Sequence, residues 1–391
     1  MGEDAEQEAA EQEAVEFEPE GSVSGQAGPT GSAEPAMDDY LKQMIELNAS
    51  DLHLKAGGPA WLRVDGDLTP ADSLPELTAK DTERFAAQLM NKRNREEFLA
   101  DGQTDFSFSK LALGRFRVAV FRQRGLVGIV ARRVLAGTRG FDALGLPPVV
   151  RKLAEQRRGL ILVTGPTGSG KTTTTAAMLA HINATRPCHI VTVEDPIEVL
   201  HHDEKAIVDQ REVGIDTDDF PSALRAVARQ DPDVIFIGEM RDLETTSSAL
   251  QAAETGHLVI STLHTIDAAE TVTRIVDLFP PHQQHQTRAS LAQSLRGVVA
   301  QRLLPSTKGG MVPAVECMVV TNRMREFVTD VDKTPRITEA IAEGSYYGMQ
   351  TFDQHLLELV KNEEVELRQA MAASSTPHDF QLALKKAGLI G

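Results

Sequence analysis

The 391-residue sequence is poor in cysteine and contains no long hydrophobic run. Its two cysteines, Cys188 and Cys317, are too few for a disulfide framework or a four-thiolate zinc site, so we expect both to be buried as small apolar side chains in a reducing compartment. Unbroken apolar runs such as Leu160–Val163 are only a few residues long, whereas a membrane-spanning helix needs roughly 20 apolar residues. The sequence therefore predicts a protein without a membrane span.

Basic residues are also scarce, with 40 Lys and Arg against 57 Asp and Glu and a formal net charge of −17. Residues 1–37 contain ten acidic residues and no Lys or Arg, and subtracting their charge leaves −7 for residues 38–391. Because binding to nucleic-acid phosphates requires a clustered basic face, we expect no nucleic-acid partner. The opening Met-Gly-Glu-Asp has neither the basic nor the apolar region of a signal peptide, which predicts a cytoplasmic protein.

Residues 1–37 combine this acidity with Gly, Ser, Ala and Pro and with few large apolar side chains. Such a composition buries too little apolar surface to offset the entropy of ordering, so the sequence predicts a disordered acidic tail. The tail can be interpreted as an acidic docking arm or as a solvating extension. A start of translation at Met37 is a third interpretation.

Residues 38–135 show a mixture of helix and strand patterns. Apolar residues recur at helical spacing from Met37 to Leu47, and a second helix is predicted over 79–99 with Thr78 as its cap. Strands are predicted by alternating patterns near 51–54, 61–67, 105–109, 115–121 and 127–134. This order predicts a small antiparallel α+β domain.

The pattern changes after a linker at 136–148, which is rich in Gly and Pro. Over 149–391, short apolar runs separated by helical stretches are typical of a parallel sheet covered by helices. The sequence therefore predicts a second, α/β domain over 149–391.

The run from Gly165 to Thr172 matches the phosphate-binding pattern G-x-x-x-x-G-K-[ST] between a predicted strand and a predicted helix over 172–183. Backbone N–H groups of such a loop form an anion nest, Lys171 reaches the β and γ phosphates, and the Thr172 hydroxyl binds Mg²⁺. No Asn-Lys-x-Asp guanine-reading motif follows, so the predicted cofactors are ATP and Mg²⁺. The predicted nucleotide-binding residues are Gly165, Pro166, Thr167, Gly168, Ser169, Gly170, Lys171, Thr172 and Thr173.

Acidic side chains follow two further predicted strands: Glu194, Asp195 and Glu198 after one, and Glu239 after the other. Because the carboxyl ends of parallel strands converge on the ligand crevice, we expect these carboxylates to face the phosphates. One carboxylate can orient the hydrated Mg²⁺ while another polarises the attacking water. A helix cap with Pro196 in the first helical turn is the alternative interpretation of the first cluster.

Two histidines, His257 and His264, bracket a third predicted strand at 258–263. We interpret both as phosphate contacts at the same crevice. Histidines with a purely structural role are the alternative.

Four segments together resemble the Walker A, Asp box, Walker B and His box of the secretion ATPases, the hexameric motors of type II secretion and type IV pili. They are residues 165–172, 192–198, 238–245 and 255–265. Additional segments resemble the twitching-motility, or pilus-retraction, branch of that superfamily. They lie at 49–54, 61–67, 114–118 and 348–353.

The resemblance extends from about residue 38 to about residue 360 and implies an α/β fold. A RecA-like P-loop ATPase domain with a mainly parallel sheet would follow a small α+β, PAS-like domain. The implied function is a homohexameric motor that hydrolyses ATP to power pilus retraction. It would be peripheral to the membrane, at the cytoplasmic face of the inner membrane, where it engages a pilus platform protein.

Roles for individual residues follow from their positions in the four boxes. The resemblance implies that Glu198 is the general base for water and that Glu239, the Walker B acid, binds Mg²⁺ together with Thr172. It also implies that His257 and His264 sense the γ-phosphate.

Arginines of the N-terminal domain complete the predicted site. Arg115 and Arg117 share the face of their strand opposite Phe116, while Arg124 and Arg132 lie on or beside the next strand. The resemblance implies that such arginines, Arg117 and Arg132 above all, close over the triphosphate and supply positive charge. They could act within their own subunit or across an interface, and exposed surface arginines are the alternative.

Two features bear on the branch of the superfamily. The sequence lacks the paired Cys-x-x-Cys motifs that assembly and secretion ATPases usually carry, which favours retraction. The stretch Met324–Val331 keeps Arg325 but departs from the Ala-Ile-Arg-Asn-Leu-Ile-Arg-Glu segment of the retraction branch. A pilus-assembly or type II secretion ATPase, an accessory paralogue, and a slowly hydrolysing nucleotide-dependent scaffold are therefore the alternatives.

Overall fold

The computed structural model describes residues 36–64 and 66–390. The predicted disordered tail lies outside these residues, except for its last two positions. The described chain forms two sheets, which we call the N-terminal sheet (β1 to β6) and the P-loop sheet (β7, β8 and β10 to β14).

The N-terminal sheet is antiparallel, with strand order β3-β2-β1-β6-β5-β4. One face packs on three helices around a core that includes Tyr40, Phe85 and Phe116. Its elements are α1 (Met37–Glu46), β1 (Asp51–Lys55), β2 (Trp61–Val64), β3 (Asp67–Pro70), α2 (Ala79–Leu89), α3 (Lys92–Asp101), β4 (Gln103–Lys110), β5 (Gly114–Gln123) and β6 (Leu126–Ala136). The predicted antiparallel α+β arrangement is confirmed.

The single helix predicted over 79–99 is wrong, because the chain breaks into α2 and α3. Met90 adopts an extended conformation, and the Asn91 side chain then caps α3 by accepting the N–H of Asn94 at 2.9 Å. The predicted cap at Thr78 is confirmed by a capping box with Asp81.

The P-loop sheet has strand order β10-β8-β11-β12-β7-β13-β14, and all of its neighbouring pairs are parallel except β13 with β14. Its strands are β7 (Gly159–Thr164), β8 (His189–Glu194), β10 (Ile207–Glu212), β11 (Val234–Ile237), β12 (Leu258–Leu263), β13 (Leu295–Pro305) and β14 (Met311–Val319). Strands β7 and β12 are buried along their full length, because helices cover both faces of the sheet. The predicted mainly parallel sheet is confirmed.

Helices surround this sheet and continue to the C-terminal end of the described chain. They are α4 (Phe141–Leu144), α5 (Pro148–Ala154), α6 (Lys171–Thr185), α7 (Phe220–Val227), α8 (Leu243–Glu254), α9 (Ala268–Asp277), α10 (Pro281–Ser294), α11 (Asn322–Thr329), α12 (Ile337–Ala342), α13 (Phe352–Lys361), α14 (Leu367–Ala373) and α15 (Pro377–Lys386), with 3₁₀ turns at Thr334–Arg336 and Ser345–Tyr347. Across residues 36–64 and 66–390, no helix has both the length and the apolar character to cross a bilayer.

The two sheets meet where a short strand of the second half pairs with the first. Strand β9 (Val199–Leu200) runs parallel to the end of β6, and the N–H of Gly137 donates to the Leu200 carbonyl oxygen at 3.2 Å. After β6, the chain passes through the predicted linker at 136–148, which contains α4. The Asp box, the segment 192–198 just before β9, is therefore tied to both sheets.

The two cysteines are free and differ in burial. Cys317 on β14 is buried as predicted, whereas Cys188 is only partly buried because it lies in the loop just before β8.

Candidate active site

The P-loop joins the carboxyl end of β7 to α6 and depends on two glycines. Gly165 has a φ of 143°, and a Cβ at this position would lie 2.4 Å from the Gln301 carbonyl oxygen. Gly170 precedes the first residue of α6 in the left-handed region, with a φ of 90°. Because other residues would be strained at both positions, the two glycines allow the amino end of α6 to face an open cleft. A helix terminus of this kind attracts anions.

Lys171, the first residue of α6, is held by the loop itself. Its Nζ donates to the carbonyl oxygens of Gly165 at 2.7 Å and Pro166 at 3.0 Å, and it lies 3.3 Å from Nδ1 of His264. Burial lowers the pKa of Lys171, while the charges of Glu239 and Glu198 oppose that shift. The ammonium group therefore lies between the P-loop and the acidic side of the cleft.

Glu239 follows the carboxyl end of β11 and has two basic partners. Its carboxylate lies 2.8 Å from Nη2 of Arg241 and 3.2 Å from Nε2 of His264. Because the Lys171 ammonium can only donate, a His264 ring protonated on Nε2 satisfies the contacts to both Lys171 and Glu239. Burial would raise the pKa of Glu239, but Arg241 and His264 together outweigh burial and lower it. The carboxylate is thus kept ionised and available to a cation.

The Asp box leaves β8 at Glu194 and bends through Asp195 and Pro196, which are joined by a cis peptide bond. Strand β9 follows, so the alternative interpretation of these acids as a helix cap at Pro196 is wrong. Glu198 is exposed at the end of this bend. Its carboxylate is therefore accessible to water.

Glu194 behaves differently from its acidic neighbours because it is buried. It accepts the Thr192 hydroxyl at 2.7 Å and Nε2 of Gln210 at 3.0 Å. Burial raises the pKa of Glu194 in spite of these hydrogen bonds. We therefore regard it as part of the frame that supports the Asp box.

Most of the predicted phosphate-site residues meet in one cleft of about 660 Å³ at the carboxyl edge of the P-loop sheet. Thr172 is exposed and lines the same cleft as Glu239, so the cleft contains a hydroxyl and a carboxylate, oxygen ligands that suit Mg²⁺. The functional side chains that line the cleft include Lys171, Thr172, Thr173, Asp195, Glu198, Glu239, Arg241, His264 and, from the N-terminal sheet, Arg117.

His257 does not join this group. It precedes β12, and its Nδ1 lies 2.9 Å from the carbonyl oxygen of Ala252, while its own carbonyl accepts the N–H of Gly159 at 2.9 Å. A strand the length of β12 spans roughly 20 Å, which puts His257 and His264 at opposite edges of the sheet. The prediction that both histidines flank one crevice is wrong within this chain.

The predicted arginine pair is also divided. Arg117 on β5 lines the cleft, but its cross-strand neighbour Arg132 does not, because its Nε donates to Asp51 at 2.7 Å. Arg124 is exposed in the turn between β5 and β6. The N-terminal sheet thus presents Arg117 to the phosphate site and holds Arg132 on its own surface.

Arg115 has a partner that sequence reasoning missed. Its Nη2 donates to Oε2 of Glu212, and that oxygen also accepts the N–H of Ile197 at 2.8 Å. Glu212 is the last residue of β10. Glu239 was identified because it follows the carboxyl end of a parallel strand. The same criterion could have identified Glu212 as well.

Comparisons with known proteins show which family this chain belongs to and which proteins it resembles. Residues 28–387 match the family described as type II/IV secretion system protein. The type IV pilus retractation ATPase PilT of Pseudomonas aeruginosa is 44% identical over 342 residues, which cover 88% of this chain and 99% of that protein. The type IV pilus ATPase PilU of the same organism is 37% identical over 349 residues, which cover 89% of this chain and 91% of that protein. A crystal structure of the pilus retraction motor PilT with bound ADP matches with a TM-score of 0.82 and 46% identity, over 88% of this chain and 99% of that one.

Proposed function

Because the chain belongs to the family of type II/IV secretion system proteins, we propose that it is an ATP-hydrolysing motor that powers retraction of type IV pili. The predicted resemblance to the pilus-retraction branch and the predicted ATPase class are confirmed by the relatives. The observation that carries the proposal is the single cleft that brings Lys171, Glu198, Glu239 and Arg117 together.

The triphosphate would bind at the amino end of α6, where loop N–H groups and the helix dipole favour negative charge. Lys171 would exchange its contacts with the loop carbonyl oxygens for contacts with phosphate oxygens. His264, which lies between Lys171 and Glu239, would contact the γ-phosphate. The predicted nucleotide-binding residues 165–173 keep this role in the proposal.

The acidic character of the cleft supports the proposed Mg²⁺. Asp195, Glu198 and Glu239 line the space that the phosphates would occupy, so binding of a polyanion needs a cation to offset repulsion. Thr172 and Glu239 would hold the ion, which when bound neutralises phosphate charge and helps to align the transferred group. Glu198, whose side chain is exposed and lines the same cleft, would accept the proton of the attacking water.

The position of Arg117 supports a mechanical role for hydrolysis. This arginine belongs to the N-terminal sheet but lines a cleft built on the P-loop sheet, so it would bridge the two sheets through the bound phosphates. Loss of the γ-phosphate would weaken that bridge and let the sheets separate about the linker at 136–148. We propose that six subunits form a ring that transmits this movement to a pilus platform protein at the cytoplasmic face of the inner membrane.

Two measurements test the proposal. Purified wild-type protein should hydrolyse ATP, and Glu198→Ala should abolish turnover while ATP binding persists. Deletion of the gene should increase the number of surface pili, because retraction then stops while assembly continues. Loss of surface pili on deletion would instead assign the chain to assembly.

An accessory ATPase is the second candidate function. Helix α11 buries Met324, Phe327 and Val328 and leaves Arg325 exposed, yet the exposed residues around Arg325 depart from the segment typical of the retraction branch. An accessory ATPase would hydrolyse ATP, but its deletion would leave the number of surface pili unchanged while a second retraction ATPase is present.

A further inference from the structure

One salt bridge between the two sheets ends on a carboxylate that also holds the Asp box. Arg115 on β5 contacts Oε2 of Glu212 at the end of β10, and their side chains are only 14% and 3% exposed. The same oxygen accepts the N–H of Ile197 at 2.8 Å. Ile197 immediately precedes Glu198, so a group fixed by the N-terminal sheet lies one residue away from the proposed base.

Strand β10 anchors the segment after the Asp box at further points. Nε2 of Gln210 donates to the Val199 carbonyl oxygen at 2.9 Å, and its Oε1 accepts the N–H of His201 at 2.8 Å. All of these groups belong to the second half of the chain. Glu212 differs from Gln210 because its carboxylate also takes a partner from the N-terminal sheet.

Arg115 and Arg117 lie two residues apart on one strand, so they project from the same face of the N-terminal sheet. Arg117 lines the phosphate cleft while Arg115 reaches Glu212. A movement that withdraws Arg117 from the phosphates therefore also withdraws Arg115 from Glu212.

We infer that Glu212 is a positioning residue that couples the approach of the N-terminal sheet to the placement of Glu198. The inference rests on the proposed function, because it takes Glu198 as the general base. With Arg115 in contact, the Glu212 carboxylate is fixed and holds Ile197, which sets the direction of the Asp box. Without Arg115, Glu212 becomes a buried unpaired charge, which is unfavourable in that site, so the carboxylate reorients and Ile197 loses its anchor. Hydrolysis is then confined to the arrangement in which Arg117 also faces the phosphates.

The test uses the full-length protein and steady-state ATP hydrolysis. The variants are Arg115→Gln, Glu212→Ala and the double variant. Each single variant should lower kcat about tenfold or more and leave the affinity for a non-hydrolysable ATP analogue within about twofold, because the base is misplaced while the P-loop is intact. The double variant should be no slower than the slower single variant, because both changes break one contact.

A conservative variant and a matched control separate positioning from general damage. Glu212→Gln keeps an acceptor for the Ile197 N–H and should recover part of the kcat lost in Glu212→Ala. Arg225→Gln removes an exposed Arg–Glu pair with Glu244 and should leave kcat unchanged. If Glu212→Ala fails to fold, the same non-additivity is measured with Glu212→Gln, Arg115→Gln and their double variant.

The inference is overturned if the Glu212 variants keep wild-type kcat, if analogue affinity falls in parallel with kcat, or if the effects of the two changes multiply in the double variant. Failure of the proposed function looks different: wild-type protein would not hydrolyse ATP, or Glu198→Ala would turn over like wild type. An inactive Glu198→Ala variant beside fully active Glu212 variants would leave the proposed function intact and reject only the positioning role.

Discussion

Glu316 on β14 should make the stability of the P-loop sheet depend on pH. The residue is 3% exposed, and its Oε1 accepts the N–H of Ala268, the first residue of α9, at 2.9 Å. Burial raises the pKa of Glu316 to about 7; Asp267 and Asp353 add to the shift, whereas the Ala268 hydrogen bond and Arg302 oppose it. The carboxyl group is therefore easier to bury protonated than charged.

The sign and size of the effect follow from linkage. The folded-state pKa of about 7 lies above the ordinary value of 4.5, so between these pH values the folded protein retains a proton that the unfolded chain has released. The stabilisation is present in full below pH 4.5 and is lost as the pH rises through about 7. A difference of about 2.5 pKa units corresponds to a free energy of unfolding of about 3 kcal/mol.

Protonation of His355, which contacts the neighbouring residue Val315, changes the stability with the opposite sign. Its effect must therefore be distinguished from that of Glu316. Its Nδ1 accepts the N–H of Val315 at 2.9 Å, and burial lowers its pKa from 6.5 to about 4 against the opposing charge of Glu358. Its contribution to stability is present above pH 6.5 and is lost as the pH falls towards about 4. The two effects overlap in wild-type protein, so the pH dependence of wild type alone does not isolate Glu316.

The assay compares wild type with Glu316→Gln in urea unfolding, at one protein concentration, from about pH 5 to about pH 8. Glutamine keeps an acceptor for Ala268 and leaves His355 in place. Relative to this variant, wild type should lose about 2.5 kcal/mol of unfolding free energy across this range, slightly less than the full effect because the range begins above pH 4.5. Glu254→Gln, which changes an exposed carboxylate on α8, should run parallel to wild type. Parallel curves for wild type and Glu316→Gln would refute the reasoning.

Three further predictions concern the cleft and the packing of the sheet. Lys171→Ala should weaken binding of a fluorescent ATP analogue by about tenfold or more, because the phosphates lose their nearest cation; unchanged affinity would contradict this. In steady-state assays His264→Ala should lower kcat about tenfold. His257→Ala, at the other edge of the sheet, should keep a kcat within about twofold of wild type. Equal losses of kcat in the two variants would contradict the placement of the histidines at opposite edges. Gly297→Ala should reduce the free energy of unfolding by about 1–3 kcal/mol, because its Cβ would lie 2.7 Å from a Leu153 methyl group and 2.8 Å from a backbone carbonyl oxygen; an unchanged thermal midpoint would show that the site can expand.

The parts of the site that could be predicted from sequence follow from local rules. The P-loop is one continuous segment, and its glycines and Lys171 have fixed relations to a strand and a helix. Glu198 and Glu239 follow the carboxyl ends of their strands, and such ends share one edge of a parallel sheet. By the same reasoning His257 lies at the opposite edge of the sheet, because it precedes β12 and therefore stands at the amino end of that strand. The prediction that both histidines flank one crevice was wrong because it did not distinguish the amino end of the strand from its carboxyl end.

The arginines could not be assigned from sequence because their partners are set by pairing over long distances in the chain. Alternation predicts only that Arg115 and Arg117 share a face. The register, which the structure adds, places Arg132 of β6 directly opposite Arg117 of β5. The same register places Asp51 of β1 opposite Arg132, where it holds that arginine. Asp51 lies 81 residues before Arg132 in the sequence, so no local sequence pattern indicates this contact.

The distribution of charge between the sheets explains why the proposed site needs both. The P-loop sheet brings Lys171 and Arg241 to the cleft together with Asp195, Glu198 and Glu239, and Arg241 is already paired with Glu239. Arg117 on the N-terminal sheet adds a further positive charge to this cleft, and its neighbour Arg115 contacts the Glu212 carboxylate behind the Asp box. Since one strand carries both arginines, charge compensation at the phosphates and placement of Glu198 depend on the same relative position of the two sheets.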